Sequence, residues 1–399
     1  MRFLILGAGP AGLTFANCLK RKGIHDFLLL EAEHDPGGLC RSIHVDGSAL
    51  DIGGGHILDV RRPEVVRFLF GFMPREEWNY FIRDTTIHVS GKFISHPFEA
   101  NLWQFDTSRQ VEYLSSIARA GCVTGQPEPE KFTDWITWKL GDKIANDYMI
   151  PYNTKMFGHE LPNLGTYWLN KLPDVSFEDT LRSCLDHQAY AKQPGHAEFY
   201  YPVEHGYGEM WRRMADALDG RILYGQHVDA IDFDSHTVRT AEGGEYHGSI
   251  IINTIPWREF RELHGMPETL KDSIPRLKHT SVQVKYIPHD MDTKAHWIYY
   301  PDLSLSYHRI FLRHNVLLGS KGVWTETNAD RIEPPDGNFS YMNKYAYPLN
   351  TIGKPEIMSS LLGWCRGKDV HGLGRWGEHE HYNSDLTVEL AMKLADTLA

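Results

Sequence analysis

The residues best suited to chemistry stand at the start of the chain. In MRFLILGAGPAG, Gly7, Gly9 and Gly12 form GxGxxG. The first glycine permits a tight turn, the second lets the backbone approach a pyrophosphate, and the third lets a helix pack closely on a strand. Glu31 closes the next apolar run about 20 residues on, where a carboxylate accepts from the hydroxyls of a ribose without a 2′-phosphate. Two further glycine stretches follow. In HDPGGLCRS, residues 34 to 42, Gly37 and Gly38 bring amides toward a ligand and Arg41 offers a guanidinium suited to a diphosphate. In LDIGGGHI, residues 50 to 57, Gly53, Gly54 and Gly55 precede His56 and suggest close approach to something flat. No Ser, His and Asp set, and no Cys and His set, offers a side-chain nucleophile. No histidine spacing makes a convincing metal site; His379 and His381 at i and i+2 would share a strand face only if that segment were extended.

Elements must position these groups. Residues 3 to 6 and 27 to 30 read as buried parallel strands flanking a helix over 13 to 22. Residues 62 to 83 read as helical and then aromatic. A hairpin is expected over 86 to 95 around Ser90 and Gly91, and then a strand, a break at Pro97 and a helix start. Residues 102 to 195 are mainly helical, with breaks at 125 to 129 and at Pro151. Strands are expected over 222 to 228, 230 to 233, 237 to 240 and 249 to 255, and an antiparallel set over 270 to 325. A last helix opens at Asp385, with Leu386, Leu390 and Leu394 on one stripe.

At 399 residues, two or three domains are the prior. An apolar fraction of 42% with 23% charged residues describes a globular protein, and a net charge of −11, well mixed in sign, argues against a nucleic-acid surface. No apolar run nears the roughly 20 residues of a membrane span. The first strand starts at the N-terminus, so no signal peptide is expected. Five cysteines without CxxC spacing suggest reduced thiols and a cytoplasmic protein.

Taken together, GAGPAGL, GGLCRS and DIGGGH resemble the flavoproteins that include amine oxidases, phytoene desaturases, protoporphyrinogen oxidases and UDP-galactopyranose mutases. Later segments favour the mutase branch: GKFISHPFEAN (91 to 101), YNTKMFG (152 to 158), YHRI (307 to 310), YAYPLN (345 to 350) and GRWGEHEHYNSD (374 to 385). The resemblance implies an α/β fold: a discontinuous Rossmann-like FAD-binding domain (1 to 68, 203 to 262, 350 to 399), a helical substrate domain (102 to 200), and an antiparallel sheet (69 to 101, 263 to 349) along the cleft. It implies FAD, used in its reduced form with NAD(P)H as a candidate external reductant. Gly7, Gly9, Gly12, Glu31, Gly38, Arg41, Gly54, Gly55, Val228, Gly374, Arg375 and Asp385 are the expected cofactor contacts.

Substrate contacts implied in the same way are Phe98, Asn101, Phe157, Lys171, Arg309, Tyr347 and His381, with His56, Arg309 and Lys171 at the chemistry. Phe157, Lys171 and His381 stand where the mutases have tryptophan, arginine and tyrosine. Lysine lacks arginine's bidentate fork. The other reading of Arg309 is a surface strand arginine with an acidic neighbour. The expected reaction is redox-neutral interconversion of pyranose and furanose forms of a nucleotide sugar, by attack of reduced flavin N5 on the anomeric carbon. The competing expectation is an oxidoreductase, amine-oxidase-like or desaturase-like. A small-molecule substrate, no nucleic acid, no membrane and a homo-oligomer complete the expected partners.

Overall fold

The structure, a computed structural model, describes residues 1–169, 172–190 and 196–399. Phe3–Leu6 and Phe27–Leu30 are almost entirely buried and pair in parallel, joined by the helix Pro10–Arg21. They form the centre of a five-stranded parallel sheet in the order Ile222–Leu223, Phe27–Leu30, Phe3–Leu6, Ile250–Asn253, Val370–Gly372. The glycine turn leaves the sheet at Gly7, whose φ of +98° suits a residue without Cβ. The mixed α/β class expected from the sequence is the class observed. Strands from near residues 3, 222, 250 and 370 meet in this one sheet, which is therefore assembled from distant stretches of chain.

A seven-stranded sheet stands against it, in the order Ser340–Pro348, His279–Ile287, Val323–Asn328, Arg309–Phe311, Trp297–Tyr299, Thr85–Val89, Lys92–Ser95. The expected hairpin is present, turning at Ser90 (φ +52°) and Gly91 (φ +75°). All its strand pairs are antiparallel except Trp297–Tyr299 with Thr85–Val89. A third layer is helical: Thr107–Ile117, Phe132–Ile144, Ile150–Phe157 and Phe177–Asp186 enclose their own apolar core.

Two local expectations are corrected. No single strand covers 222 to 228: Gly225 (φ +66°) interrupts it, and Val228–Asp232 belongs to a separate four-stranded sheet. Pro151 does not break the helical run. A π-helical turn, Ala145–Met149, leads straight into Ile150–Phe157, and its wider i→i+5 pattern takes up Pro151, which offers no N–H to a regular ladder. The segment holding His379 and His381 is not a strand. Among the described residues no group of His, Cys, Asp or Glu is arranged for a metal ion, and no helix is long and apolar enough to cross a membrane.

Candidate active site

An outer cavity of about 460 Å³ runs along the carboxyl ends of the parallel strands, the usual crevice for ligands in such sheets. Gly7, Gly9, Glu31, Gly38, Arg41 and Val228 line it, and Arg375 closes its inner end. Glu31 is buried at the tip of its strand and receives the N–H groups of Ala8 (2.6 Å) and Glu33 (3.0 Å). Burial pushes its pKa up, although both bonds oppose the shift. Arg41 reaches Tyr341 Oη (2.9 Å) and Glu33 (3.2 Å). Gly9 tests the fit of a dinucleotide directly: a Cβ there would meet only Gly38 Cα at 3.9 Å, so that face is open for a pyrophosphate. Gly12 differs. A Cβ there would lie 2.1 Å from the Gly7 carbonyl oxygen, so its role is helix-on-strand packing. Gly374 (φ +76°) is likewise a packing glycine, with Ala11 Cβ 2.7 Å from where its own Cβ would be.

An inner chamber of about 140 Å³ adjoins the first, and His56, Arg375 and Ser384 line both. Its walls carry Gly54, Gly55, Arg309, Tyr347 and His381, and also Arg83, which sequence reasoning missed. Strand register explains the cluster. Arg309 is paired with Tyr299 on one side and Glu326 on the other, so all three are cross-strand neighbours. Arg309 Nη2 donates to Glu326 Oε2 (2.5 Å) and to Tyr347 Oη (3.0 Å). Burial opposes its charge, but Glu326 together with Tyr347, Tyr152 and Tyr299 outweighs it and its pKa is raised. Arg309 is thus both a cavity residue and a strand arginine with an acidic partner. Arg83 stands over the Trp297 ring at 4.9 Å and donates to Tyr299 Oη (2.7 Å).

His56 is neutral. Burial, reinforced by Arg375, lowers its pKa to about 3, although a bond to Gly54 opposes the shift. Nδ1 lies 3.0 Å from the Gly54 carbonyl oxygen, so it carries the proton and Nε2 is the acceptor. Arg375 is held by the carbonyls of Tyr382 (2.7 and 3.0 Å) and Ala346 (3.1 Å). Together these side chains make the chamber polar and cationic, the setting for an anion.

Several expected site residues lie elsewhere. Phe98 is fully buried in the helical layer, packed on Phe105, Tyr113 and Tyr148. Asn101 is buried and donates to the Pro97 carbonyl (2.8 Å). Phe157 is a core residue edge-on to Trp168. None of the three lines either cavity. Asp385 sits just behind the wall, buried and paired with Arg62. Lys171 lies outside the described residues. Missed contributors besides Arg83 are Trp297, His196 and Asn383 in the chamber and Tyr341 in the outer cavity. Arg83, Trp297, His196 and Tyr341 lie on or beside strands and reach their cavities through pairing of distant strands, which no short-range signal marks, whereas Asn383 stands inside the GRWGEHEHYNSD segment, directly ahead of the last helix.

A parallel sheet whose glycine turn opens onto a long cavity, with a cationic chamber at the far end, defines the class of dinucleotide-cofactor proteins. The chain belongs to the flavin containing amine oxidoreductase family, which it matches over residues 10–349. FAD is the implied cofactor, and the open face at Gly9 fits it. Among solved structures the chain is similar to a reduced UDP-galactopyranose mutase, with a TM-score of 0.88 and 22% identity over 99% of this chain and 93% of that one. It is also similar to a putative protoporphyrinogen oxidase from an Exiguobacterium species (TM-score 0.70, 13% identity, 99% and 98% covered). A third likeness is to a CLA-producing fatty acid isomerase from P. acnes (TM-score 0.67, 14% identity, 99% and 98% covered). In sequence, an uncharacterized protein in the nifH2 3′ region of Methanothermococcus thermolithotrophicus is 33% identical over 108 residues, 26% of this chain and 98% of that protein.

Proposed function

We propose that this chain is a flavin-dependent mutase interconverting the pyranose and furanose forms of a nucleotide sugar, without net oxidation. The observation that carries the reading is the cationic chamber: Arg309, braced by Glu326 and Tyr347, opens with Arg83 onto a space continuous with the cofactor cavity. Gly9, Gly38 and Arg41 would hold the cofactor's diphosphate, Glu31 its ribose, and Gly54 and Gly55 would lie against its ring system. When bound, reduced FAD supplies the nucleophile for the sugar's anomeric carbon. Arg309 neutralises the diphosphate as it departs, and neutral His56 offers an acceptor without adding charge.

Size favours a second reading. At about 140 Å³ the chamber is below the roughly 300–1,000 Å³ of ordinary small-molecule sites, which suits net oxidation of a smaller molecule. One experiment separates the two. Dithionite-reduced protein is incubated with a panel of nucleotide sugars, ring form is read by NMR, and reductant and oxygen consumption are measured. Ring isomerisation with no reductant consumed per turnover is expected; net oxygen uptake or substrate oxidation would sink the mutase reading.

A further inference from the structure

Beyond Arg309 and His56, the wall of the inner chamber carries His196, backed by the buried Asp59, a pair that neither the binding of an anion nor the cradle for the cofactor uses. Glu198–Pro202 pairs antiparallel with Leu58–Asp59, aligning Phe199 with Asp59. That pairing carries His196, just before the strand, onto the buried Asp59: Nδ1 lies 2.6 Å from Asp59 Oδ2, a short but bent contact. On its other side, His196 Nε2 lies 2.8 Å from Asn383 Nδ2, directly ahead of the helix Ser384–Leu398. His196 and Asn383 both line the chamber, as do His56, Arg309 and Tyr347.

The chemistry of the pair follows from its surroundings. Burial works against the Asp59 carboxylate, but the close His196 imidazole and hydrogen bonds from Arg61 outweigh it and hold its pKa well below the usual carboxylate range. Asp59 is therefore an acceptor only. It favours the tautomer with the proton on Nδ1, and Nε2 then accepts from the Asn383 amide at the chamber wall. The charged groups around the pair are Arg61 on Asp59 (2.6 Å), and Asp385, itself paired with Arg62. Arg83, Arg309, His56 and His381 face it around the same chamber.

We propose that His196 is the proton-transfer residue of the inner chamber: its imidazole, held between Asp59 and Asn383, takes a proton from one hydroxyl of the bound substrate and returns it to another oxygen of the same molecule. In this form the inference rests on the mutase reading. Exchange of ring form releases one sugar oxygen as a hydroxyl and takes another into the ring. One O–H bond breaks and one forms, so a proton must leave the incoming hydroxyl and reach the outgoing oxygen. His196 Nε2 exchanges the Asn383 amide for the substrate hydroxyl, takes its proton, becomes imidazolium opposite Asp59, and delivers it; no electron and no net proton is consumed. Asp59 is a positioning residue in this scheme.

The test uses the FAD-loaded full chain with H196Q and H196A. With reduced enzyme and UDP-galactofuranose, H196Q is expected to lose about 10²–10⁴-fold in kcat, with KM changed less than about threefold and flavin content unchanged. Free imidazole should restore part of the turnover of H196A, which a merely structural role would not allow. Wild-type kcat and pH profile in H196Q would overturn the proposal. If the wild type itself turns over no nucleotide sugar, the mutase reading fails, and a substrate-free arm decides the fate of His196. Flavin absorbance of oxidised protein is followed from pH 5 to 9 in the wild type, H196Q and, to identify the other chamber histidine, H381Q. A spectral transition lost in H196Q and kept in H381Q supports His196 as the group exchanging protons at the chamber. No transition assignable to His196 overturns it.

Discussion

Arg309 shows how one residue serves two interactions. Its guanidinium is buried against Glu326 and also faces the chamber, so removing it takes away an anion contact and strands a buried carboxylate. A charged hydrogen bond contributes about 1.5–3 kcal/mol, and breaking a buried pair costs about 3–5 kcal/mol. Arg309→Ala is therefore expected to weaken UDP binding about 10- to 100-fold in a flavin-fluorescence titration while FAD is retained, and to lower stability as well. Arg309→Ala combined with Glu326→Gln separates the effects: stability should recover in a urea melt and UDP affinity should not. Undiminished UDP affinity in Arg309→Ala would remove Arg309 from the site.

At the scale of elements, the glycine turn divides its work among positions that look equivalent in the motif. Gly9 opens onto the cavity, whereas Gly12 faces the Gly7 carbonyl. Gly9→Val should fold with a near-normal melting transition and purify colourless. Gly12→Ala should be destabilised outright, with less folded protein recovered. A Gly9→Val protein with full yellow colour would contradict the pyrophosphate turn. In the helical layer, burial raises the Glu99 carboxyl to about 7, against weaker opposition from its own backbone and from Lys139. Between its unfolded value of about 4.3 and that pKa, the folded protein keeps a proton that the unfolded chain releases. Stability conferred by the protonated carboxyl is complete at low pH and is lost as pH rises through about 7. Glu99→Gln has no proton to lose. Urea melts should show the variant level with wild type near pH 4 and more stable at pH 8, by on the order of 1–3 kcal/mol.

The whole molecule depends on ties between segments far apart in sequence. Fully buried Arg313 donates to the carbonyls of Val45 (2.9 Å), Ser48 (3.1 Å) and Ala49 (3.3 Å), and to Lys321 (2.9 Å). It fastens the hairpin behind the glycine run at 53 to 55 to the seven-stranded sheet, joining the cofactor side to the chamber side. Arg313→Met takes the guanidinium away from those carbonyls, and about 3 kcal/mol or more should be lost. Bound FAD should then be released at lower urea than in wild type. Coincident release curves would show that the tie does not support the cofactor cavity.

Local pattern carried the cofactor half of the site. Phe3 to Leu6 is apolar throughout because a parallel strand is covered on both faces, and a turn that must approach a phosphate needs glycine, so composition and spacing alone disclose strand, turn and ligand class. The hairpin at Ser90 and Gly91 was legible for the same reason: its backbone demands are local. Phe98 and Phe157 were not, since an aromatic side chain suits a core and a base-stacking wall equally, and only the packing of four helices put both in the core. His196 and Asp59 carry no mark in the sequence at all. They meet because one short strand pairs with another some 140 residues earlier, and strand pairing between distant segments is decided by burial of whole faces, which tertiary structure alone settles.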